Sequence, residues 1–161
     1  MNFKTMIKLG LLVTFAVITG CAASGPAFKE ITDIPQDKGL VYVYRPNSII
    51  GSAIRYSVYA DQDVVCKLIR GGYCLYYAKP GEVEFWAKTE SKASLTVDVK
   101  AGQKHYVKGS LSMGFAVGRP NLSLVEEQEA LKDIVDCKLL NPTTGEAVAQ
   151  KDEAKQTAQK Q

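Results

Sequence analysis

YCLYYAKPGEVEFWAK, residues Tyr73–Lys88, predicts the fold more clearly than any other stretch of the chain. Its second half alternates apolar residues with mostly charged ones, and this period of two is typical of a β-strand with one buried face. Its first half is rich in tyrosine, which favours strands. Pro80 and Gly81 lie between the halves and form a type II turn signal, so the stretch predicts two strands joined as a hairpin.

Short β-branched and aromatic runs, separated by Gly, Pro, Asp and Asn, continue through residues 39–140. Leu95–Lys100 alternates regularly, which predicts one buried and one solvated face, as in a two-layer antiparallel arrangement. About eight strands in about 100 residues favour a single all-β domain, a mainly antiparallel β-sandwich. Glu126–Ile134 predicts a short helix near the C-terminal end, and Val135–Leu140 is expected to close the sheet. The other predicted strands are Leu40–Tyr44, Ile54–Tyr59, Val64–Ile69, Lys104–Ser112 and Leu122–Val125.

Residues 1–20 have the zones of a secretory signal peptide. Lys4 and Lys8 precede the apolar run Leu9–Thr19, which is too short to span a bilayer, since spanning takes about 20 residues. Ile18-Thr19-Gly20-Cys21 is similar to the lipobox of bacterial lipoproteins, in which a peptidase cuts before a cysteine that carries diacylglycerol. The resemblance implies that Cys21 is acylated and that its acyl chains bind the lipid bilayer. The alternative is an ordinary secretory signal with a chance cysteine near its cleavage site.

The segments on either side of the domain are expected to be irregular. Residues 21–38 predict a lipidated tether that spans ~23 Å, unless Phe28 and Ile31 pack onto the domain and shorten it. Ala22 stands where Gram-negative lipoproteins retained in the inner membrane typically carry Asp. It therefore implies an outer-membrane protein facing the periplasm, in a host that has an outer membrane. Residues 141–161 predict a disordered polar tail, with a short helix around Ala147–Lys160 as the alternative.

Charge and cysteine content exclude some classes of function. Removing residues 1–20 takes away two lysines and no carboxylate, so the net charge falls from +3 to +1 and no basic stripe for nucleic acid remains. Cys66, Cys74 and Cys137 stay in an oxidising compartment and allow three disulfide pairings. The turn signal at residues 70–72 makes Cys66–Cys74 a candidate bridge, although their register could place the two side chains on a diagonal. No zinc site is expected, because the spacings lack paired CxxC ligands and the chain has one histidine.

Three segments carry a family resemblance: LVYVYRP at Leu40–Pro46, YAKPGEV at Tyr77–Val83 and GQKHYV at Gly102–Val107. A first strand ending in Tyr-Arg, a central Pro-Gly hairpin and a Gly-x-x-x-Tyr pattern resemble bacterial lipoproteins built on a domain of unknown function, DUF2846. The resemblance covers about residues 39–140 and implies a β-rich envelope domain. The family has no established catalytic residues to carry over, and the three cysteines of the domain lie outside its pattern.

The candidate chemistry of the chain is sparse. His105 is the only histidine, and no Gly-x-Ser-x-Gly elbow precedes it, so a structural or exposed histidine is expected rather than a catalytic one. Glu82 and Glu84 share one strand face, where an acid and base pair is the alternative to two solvated carboxylates. No phosphate-binding glycine loop or metal-ligand cluster is present at motif spacing, so no catalytic residue, metal or cofactor is predicted.

Two features suggest binding instead. The loop at residues 113–120 is apolar and rich in glycine where loops are normally polar. If it does not tuck into the sandwich edge, Phe115 and Arg119 are candidate partner contacts. All eight tyrosines lie between residues 42 and 106 and, with Trp86, could form a platform for a glycan or an envelope protein, although tyrosine also simply favours strands.

The sequence therefore predicts a membrane-anchored envelope lipoprotein that acts as a binding or structural module. One alternative is an envelope hydrolase that uses His105. Another is an accessory factor of a stress or phage-related system.

Overall fold

The computed structural model describes residues 23–115 and 117–141. The predicted signal peptide, the acylated Cys21 and residues 142–161 of the predicted tail lie outside the described residues. Within the described ranges, no helix is long and apolar enough to cross a membrane.

Nine strands and one short helix make up the part of the chain that the structure describes, and the predicted all-β class is confirmed. The strands form a five-stranded sheet, in the order β8-β7-β1-β4-β9, and a four-stranded sheet, in the order β3-β2-β5-β6. Most neighbours are antiparallel, but β1 pairs in parallel with β7, and β4 with β9. The elements are β1 Gly39–Arg45, β2 Tyr56–Ala60, β3 Asp63–Leu68, β4 Gly72–Ala78, β5 Gly81–Lys88, β6 Lys92–Val99, β7 Lys104–Ser112, β8 Arg119–Val125, α1 Glu127–Ile134 and β9 Lys138–Leu139.

The predicted Pro-Gly hairpin is wrong. Pro80 and Gly81 carry the chain from β4 in one sheet to β5 in the other, so the two strands are not hydrogen-bonded neighbours. Two-residue hairpins favour primed turns, whose twist matches that of the strands, and a Pro-Gly pair does not encode such a turn. β4 instead pairs with β1 over seven residue pairs, while β5 pairs with β2 and β6. Gly81 has a φ of 130°, which a residue with a side chain would rarely adopt.

Two apolar layers lie on opposite faces of the five-stranded sheet. The layer between the sheets contains Val41, Val43 and Val107 from one sheet and Val58 and Phe85 from the other. The layer on the outer face is built from three tyrosines of β1 and β7 packed against α1; these are Tyr42, Tyr44 and Tyr106. All seven residues of β1 are therefore buried. The predicted solvent-exposed face is found on the four-stranded sheet. The outer face of the five-stranded sheet is instead covered by the helix and the N-terminal segment.

The N-terminal segment, residues 23–38, is packed onto the domain. Phe28 N donates a hydrogen bond to Cys137 O at 3.1 Å, and the Phe28 ring lies edge-on to Tyr73 with 5.3 Å between centroids. Ile31 N donates to the Tyr42 hydroxyl at 2.8 Å. Ala23 N donates to Arg70 O at 3.3 Å, which places the first described residue at the β3–β4 turn. Of the two expectations for this segment, the packing of Phe28 and Ile31 onto the domain is the one observed.

Candidate functional site

One end of the sandwich, here called the loop end, carries the largest exposed apolar side chains. It is formed by residues 46–55, 69–71, 89–91, 113–115 and 117–118, which lie between strands that finish or begin at that end. Phe115 is fully exposed, Met113 is 88% exposed and Ile49 is 87% exposed.

Of the two expectations for the loop at 113–120, exposure is the one observed. Val117 is exposed with Met113 and Phe115, and Arg119 is exposed at the first position of β8. Ile49 and Ile50 in the loop at 46–55 add to the same end, and sequence reasoning missed them. Their signal was present, because an Ile-Ile pair between Ser48 and Gly51 is unusual in a segment with turn residues on both sides.

The two long loops at this end are held by specific contacts. Glu90, in the β5–β6 turn, accepts a hydrogen bond from Phe115 N at 2.9 Å and a second from Val117 N. Thr89 Oγ1 donates to Gly118 O at 2.6 Å. Gly118 has a φ of 87°, and a side-chain carbon placed on it would lie 3.4 Å from Ile54 Cδ1, in the neighbouring loop. The apolar tips are thus presented by a structured backbone.

Arg45 fixes the other loop from inside the domain. Its side chain is 1% exposed, and burial lowers the pKa of its guanidinium. Nη1 donates to Ile54 O at 2.7 Å, while Nη2 donates to Gly51 O at 2.7 Å and to Ile50 O at 3.3 Å. The guanidinium carbon lies 5.7 Å from the centroid of the Tyr56 ring. A single buried cation therefore organises the backbone that presents Ile49 and Ile50.

A second surface feature is an aromatic pair on the outer face of the four-stranded sheet. Tyr59 and Trp86 are directly opposite in the β2–β5 register, and their rings stack with centroids 4.1 Å apart and planes 9° apart. Trp86 Nε1 donates to Asp61 O at 2.8 Å, which fixes the indole. Lys92 Nζ lies 5.1 Å from the Trp86 ring centroid and 3.2 Å from a Glu84 carboxylate oxygen. The pair forms a small, rigid aromatic surface with charge on one side.

The wider aromatic platform suggested by the sequence is not assembled. Five of the eight tyrosines are buried in the two apolar layers, and Tyr76 and Tyr77 pack against those layers. Burial and strand propensity thus account for most of the tyrosines, and Tyr59 with Trp86 is the part of the predicted platform that faces outward.

Other residues singled out in the sequence are three cysteines and two glutamates. Cys66 and Cys74 form a disulfide with 6.5 Å between their Cα atoms, and it links β3 in one sheet to β4 in the other. Cys137 is buried, and burial raises the pKa of its thiol to about 12. Glu84 is ion-paired with Lys92, while Glu82 is exposed. Among residues 23–115 and 117–141, no three His, Cys, Asp or Glu side chains are grouped to hold a metal ion.

His105 closes the β6–β7 turn. Its Nε2 accepts a hydrogen bond from Lys100 N at 3.1 Å, so this nitrogen is unprotonated and already occupied. Burial lowers the pKa of the imidazole, the Lys100 charge acts in the same direction, and Asp98 acts against them. The imidazole thus links the two ends of the turn through a backbone hydrogen bond.

This contact predicts a pH effect on stability. The pKa of His105 is 6.5 before folding and lower in the folded protein, so the unfolded chain binds more protons between these two values. The stability contribution is therefore present above pH 6.5 and lost as the pH falls toward the folded value. We expect urea unfolding at about pH 7.5 and about pH 5.5 to show a larger loss of stability for the native protein than for His105→Gln, which keeps an acceptor but does not titrate. Equal losses in the two proteins would contradict this role.

The comparisons with known proteins agree with the family resemblance of the sequence. The family model "Protein of unknown function (DUF2846)" matches residues 35–119, more than half of the chain. The chain belongs to the DUF2846 family. An uncharacterized protein of Haemophilus influenzae is 27% identical over 95 residues, which are 58% of this chain and 56% of that protein. The chain thus spans little more than half the length of that relative. No solved structure matches.

The DUF2846 match covers β1 to β7 and the loop at 113–118, and the residues that mark the family have structural roles. Arg45, which ends the first strand, holds the loop after it. Gly81 and Gly102 have positive φ values, 130° and 69°, at chain reversals. Tyr106 stacks on Tyr42 with 5.1 Å between centroids. In this chain, these residues of the three family-like segments thus contribute to the scaffold and to the base of the loop end.

Proposed function

We propose that the protein is an envelope lipoprotein, held on a membrane through acylated Cys21, whose sandwich acts as a binding or structural module. The observation that supports the anchor is the lipobox-like stretch Ile18-Thr19-Gly20-Cys21. The hydrogen bond from Ala23 N to Arg70 O adds that only Ala22 stands between Cys21 and the packed chain. A lipidated Cys21 would then hold the domain directly at the membrane surface rather than at the end of a long flexible segment.

The face proposed for binding is the Tyr59–Trp86 pair on the outer face of the four-stranded sheet. Tyr and Trp combine an apolar ring with a polar group, a combination common at binding interfaces. Because Tyr59 stacks on the indole and Lys92 lies over it, Lys92 must move aside when the Trp86 ring receives an apolar group of a partner. The Glu84–Lys92 ion pair beside them can exchange its mutual contact for hydrogen bonds to the bound group. A glycan and a protein of the envelope are the two partner classes that this chemistry fits.

The anchoring proposal is tested by exchanging residues 1–20 for an ordinary cleavable secretory signal together with Cys21→Ser. We expect the protein to move from the membrane fraction to the soluble envelope fraction, because the acyl chains are lost. Mass spectrometry of the native N-terminal peptide should detect the acyl groups on Cys21. The matched control is Cys137→Ala with the native signal, which should stay in the membrane fraction. An unmodified Cys21, or full membrane retention of the exchanged protein, would refute the anchor.

The binding proposal is tested by cross-linking in cells that produce the protein with its native signal, followed by mass spectrometry of the captured peptides and glycans. Trp86→Ala is expected to abolish capture of the specific partner. Glu82→Ala, on the same strand and the same face, is the control that should leave capture unchanged. Equal capture by the native protein and Trp86→Ala would remove the aromatic pair from the binding face.

A further inference from the structure

We propose that the loop end is a membrane-contacting surface, whose apolar tips enter the boundary between lipid headgroups and acyl chains. The residues are Ile49, Ile50, Met113, Phe115 and Val117. The inference rests on the proposed acylation of Cys21 and adds to it a fixed orientation of the domain on the bilayer.

The first support is the concentration of exposed apolar side chains. Seven large hydrophobic residues are exposed in the part of the chain that the structure describes, and five of them lie at the loop end. Such a cluster is costly in water, and it marks a contact with a membrane or another molecule. Hydrogen bonds to Glu90 hold the loop that carries Phe115, and hydrogen bonds from the buried Arg45 hold the loop that carries Ile50, so the tips are presented without an ordering step on contact.

The second support is the position at which the described chain begins. Ala23 is hydrogen-bonded to Arg70, in the β3–β4 turn, and the next residue of that turn, Gly71, donates its N–H to Arg45 O at the end of β1. Two residues of extended chain span about 7 Å at most, so the acyl chains on Cys21 would enter the bilayer beside the loop end. The lipid anchor and the apolar tips would therefore meet the same membrane surface.

The third support is charge. Two exposed arginines, Arg55 and Arg119, border the loops of this end. Arginine binds phosphate groups through paired hydrogen bonds, and Arg55 and Arg119 are exposed. Exposed apolar tips beside two exposed arginines fit a surface of anionic phospholipid, because the tips can enter the apolar boundary while these two guanidinium groups stay at the phosphates.

The test uses fluorescence quenching by lipids with brominated acyl chains. The acylated protein is reconstituted into vesicles of phosphatidylethanolamine and phosphatidylglycerol, in a Trp86→Phe background that removes the native tryptophan. Phe115→Trp reports on the loop end. Gln62→Trp, exposed in the β2–β3 turn at the opposite end, is the matched control. We expect Phe115→Trp to lose most of its emission in brominated vesicles and Gln62→Trp to keep its emission.

Vesicle flotation in the same samples separates this inference from the anchor. The membrane contact would be overturned, and the anchor left intact, if the protein floats with the vesicles but Phe115→Trp is quenched no more than Gln62→Trp. Protein that does not float would refute both the anchor and the contact. Flotation with selective quenching of Phe115→Trp would establish the orientation.

Discussion

Replacing Cys66 and Cys74 together by alanine is expected to lower the free energy of unfolding by about 3 kcal/mol. The disulfide joins β3 to β4, which lie in different sheets, across only eight positions of sequence. Without it, the unfolded chain gains the freedom that the closed loop had removed. Both cysteines are also buried between the sheets, so their removal leaves a space in the apolar layer. Urea unfolding of the unacylated Cys21→Ser protein measures the change.

Reduction and a third cysteine provide the controls for this prediction. A reducing agent should destabilise the protein with the native bridge by a similar amount, and it should not affect the double alanine variant further. Cys137→Ala removes a buried thiol that forms no bridge, so it should keep the sensitivity to reductant. A loss below about 1 kcal/mol in the double variant would mean that the two sheets do not depend on the bridge.

The strands could be predicted from the sequence because their signal is local. A period of two and a high content of β-branched and aromatic residues identified each of the eight long strands to within a few residues. Helix-forming residues identified the short helix α1. The connections between strands were less accessible. Pro80 and Gly81 correctly indicated a reversal, but whether the next strand pairs with the last one depends on distant partners such as β1, which pairs with β4.

The second apolar layer was also hidden from local pattern reading. Three tyrosines alternate with or adjoin valines and therefore resemble residues on the solvent-exposed face of a two-layer sheet; these are Tyr42, Tyr44 and Tyr106. They are buried because α1 and the N-terminal segment pack on that face, and Phe28 and Ile31 are its contacts. Two prolines and a mixed composition made this segment resemble a tether, since packing against a distant strand leaves no periodic signal of its own.

Only part of the candidate site could be predicted, because its other part depends on contacts between residues distant in sequence. An apolar, glycine-rich loop stood out at residues 113–118 and led to Phe115 and Arg119. The role of Arg45 did not stand out, because a charged residue at the end of an apolar strand normally points to water. Its burial depends on the loop at 46–55 folding back so that three backbone carbonyls face the guanidinium, a geometry that no spacing in the sequence encodes.

Arg45→Met is accordingly expected to lower the free energy of unfolding by about 3 kcal/mol. The substitution keeps most of the side-chain length but removes the donors to Ile50 O, Gly51 O and Ile54 O. Hydrogen bonds to a charged group contribute about 1.5–3 kcal/mol each, and part of that loss is offset because no charge remains to be buried. Arg55→Met is the control at the same end of the domain. It removes an exposed arginine and should change stability by less than about 0.5 kcal/mol.

Hydrogen exchange distinguishes a loss of loop order from a general loss of stability in Arg45→Met. If the buried guanidinium organises the loop, exchange should increase most at Ser52 and Ile54, whose N–H groups donate to carbonyls within the loop. Exchange in β5 and β6 should rise only by the amount that the global stability predicts. Arg45→Lys should fall between the native protein and Arg45→Met, because one ammonium group cannot occupy both nitrogen positions of the guanidinium. Native protection of the loop in Arg45→Met would show that the guanidinium does not hold the loop. Packing against Leu111, whose side chain lies beside Gly51, would then hold it instead.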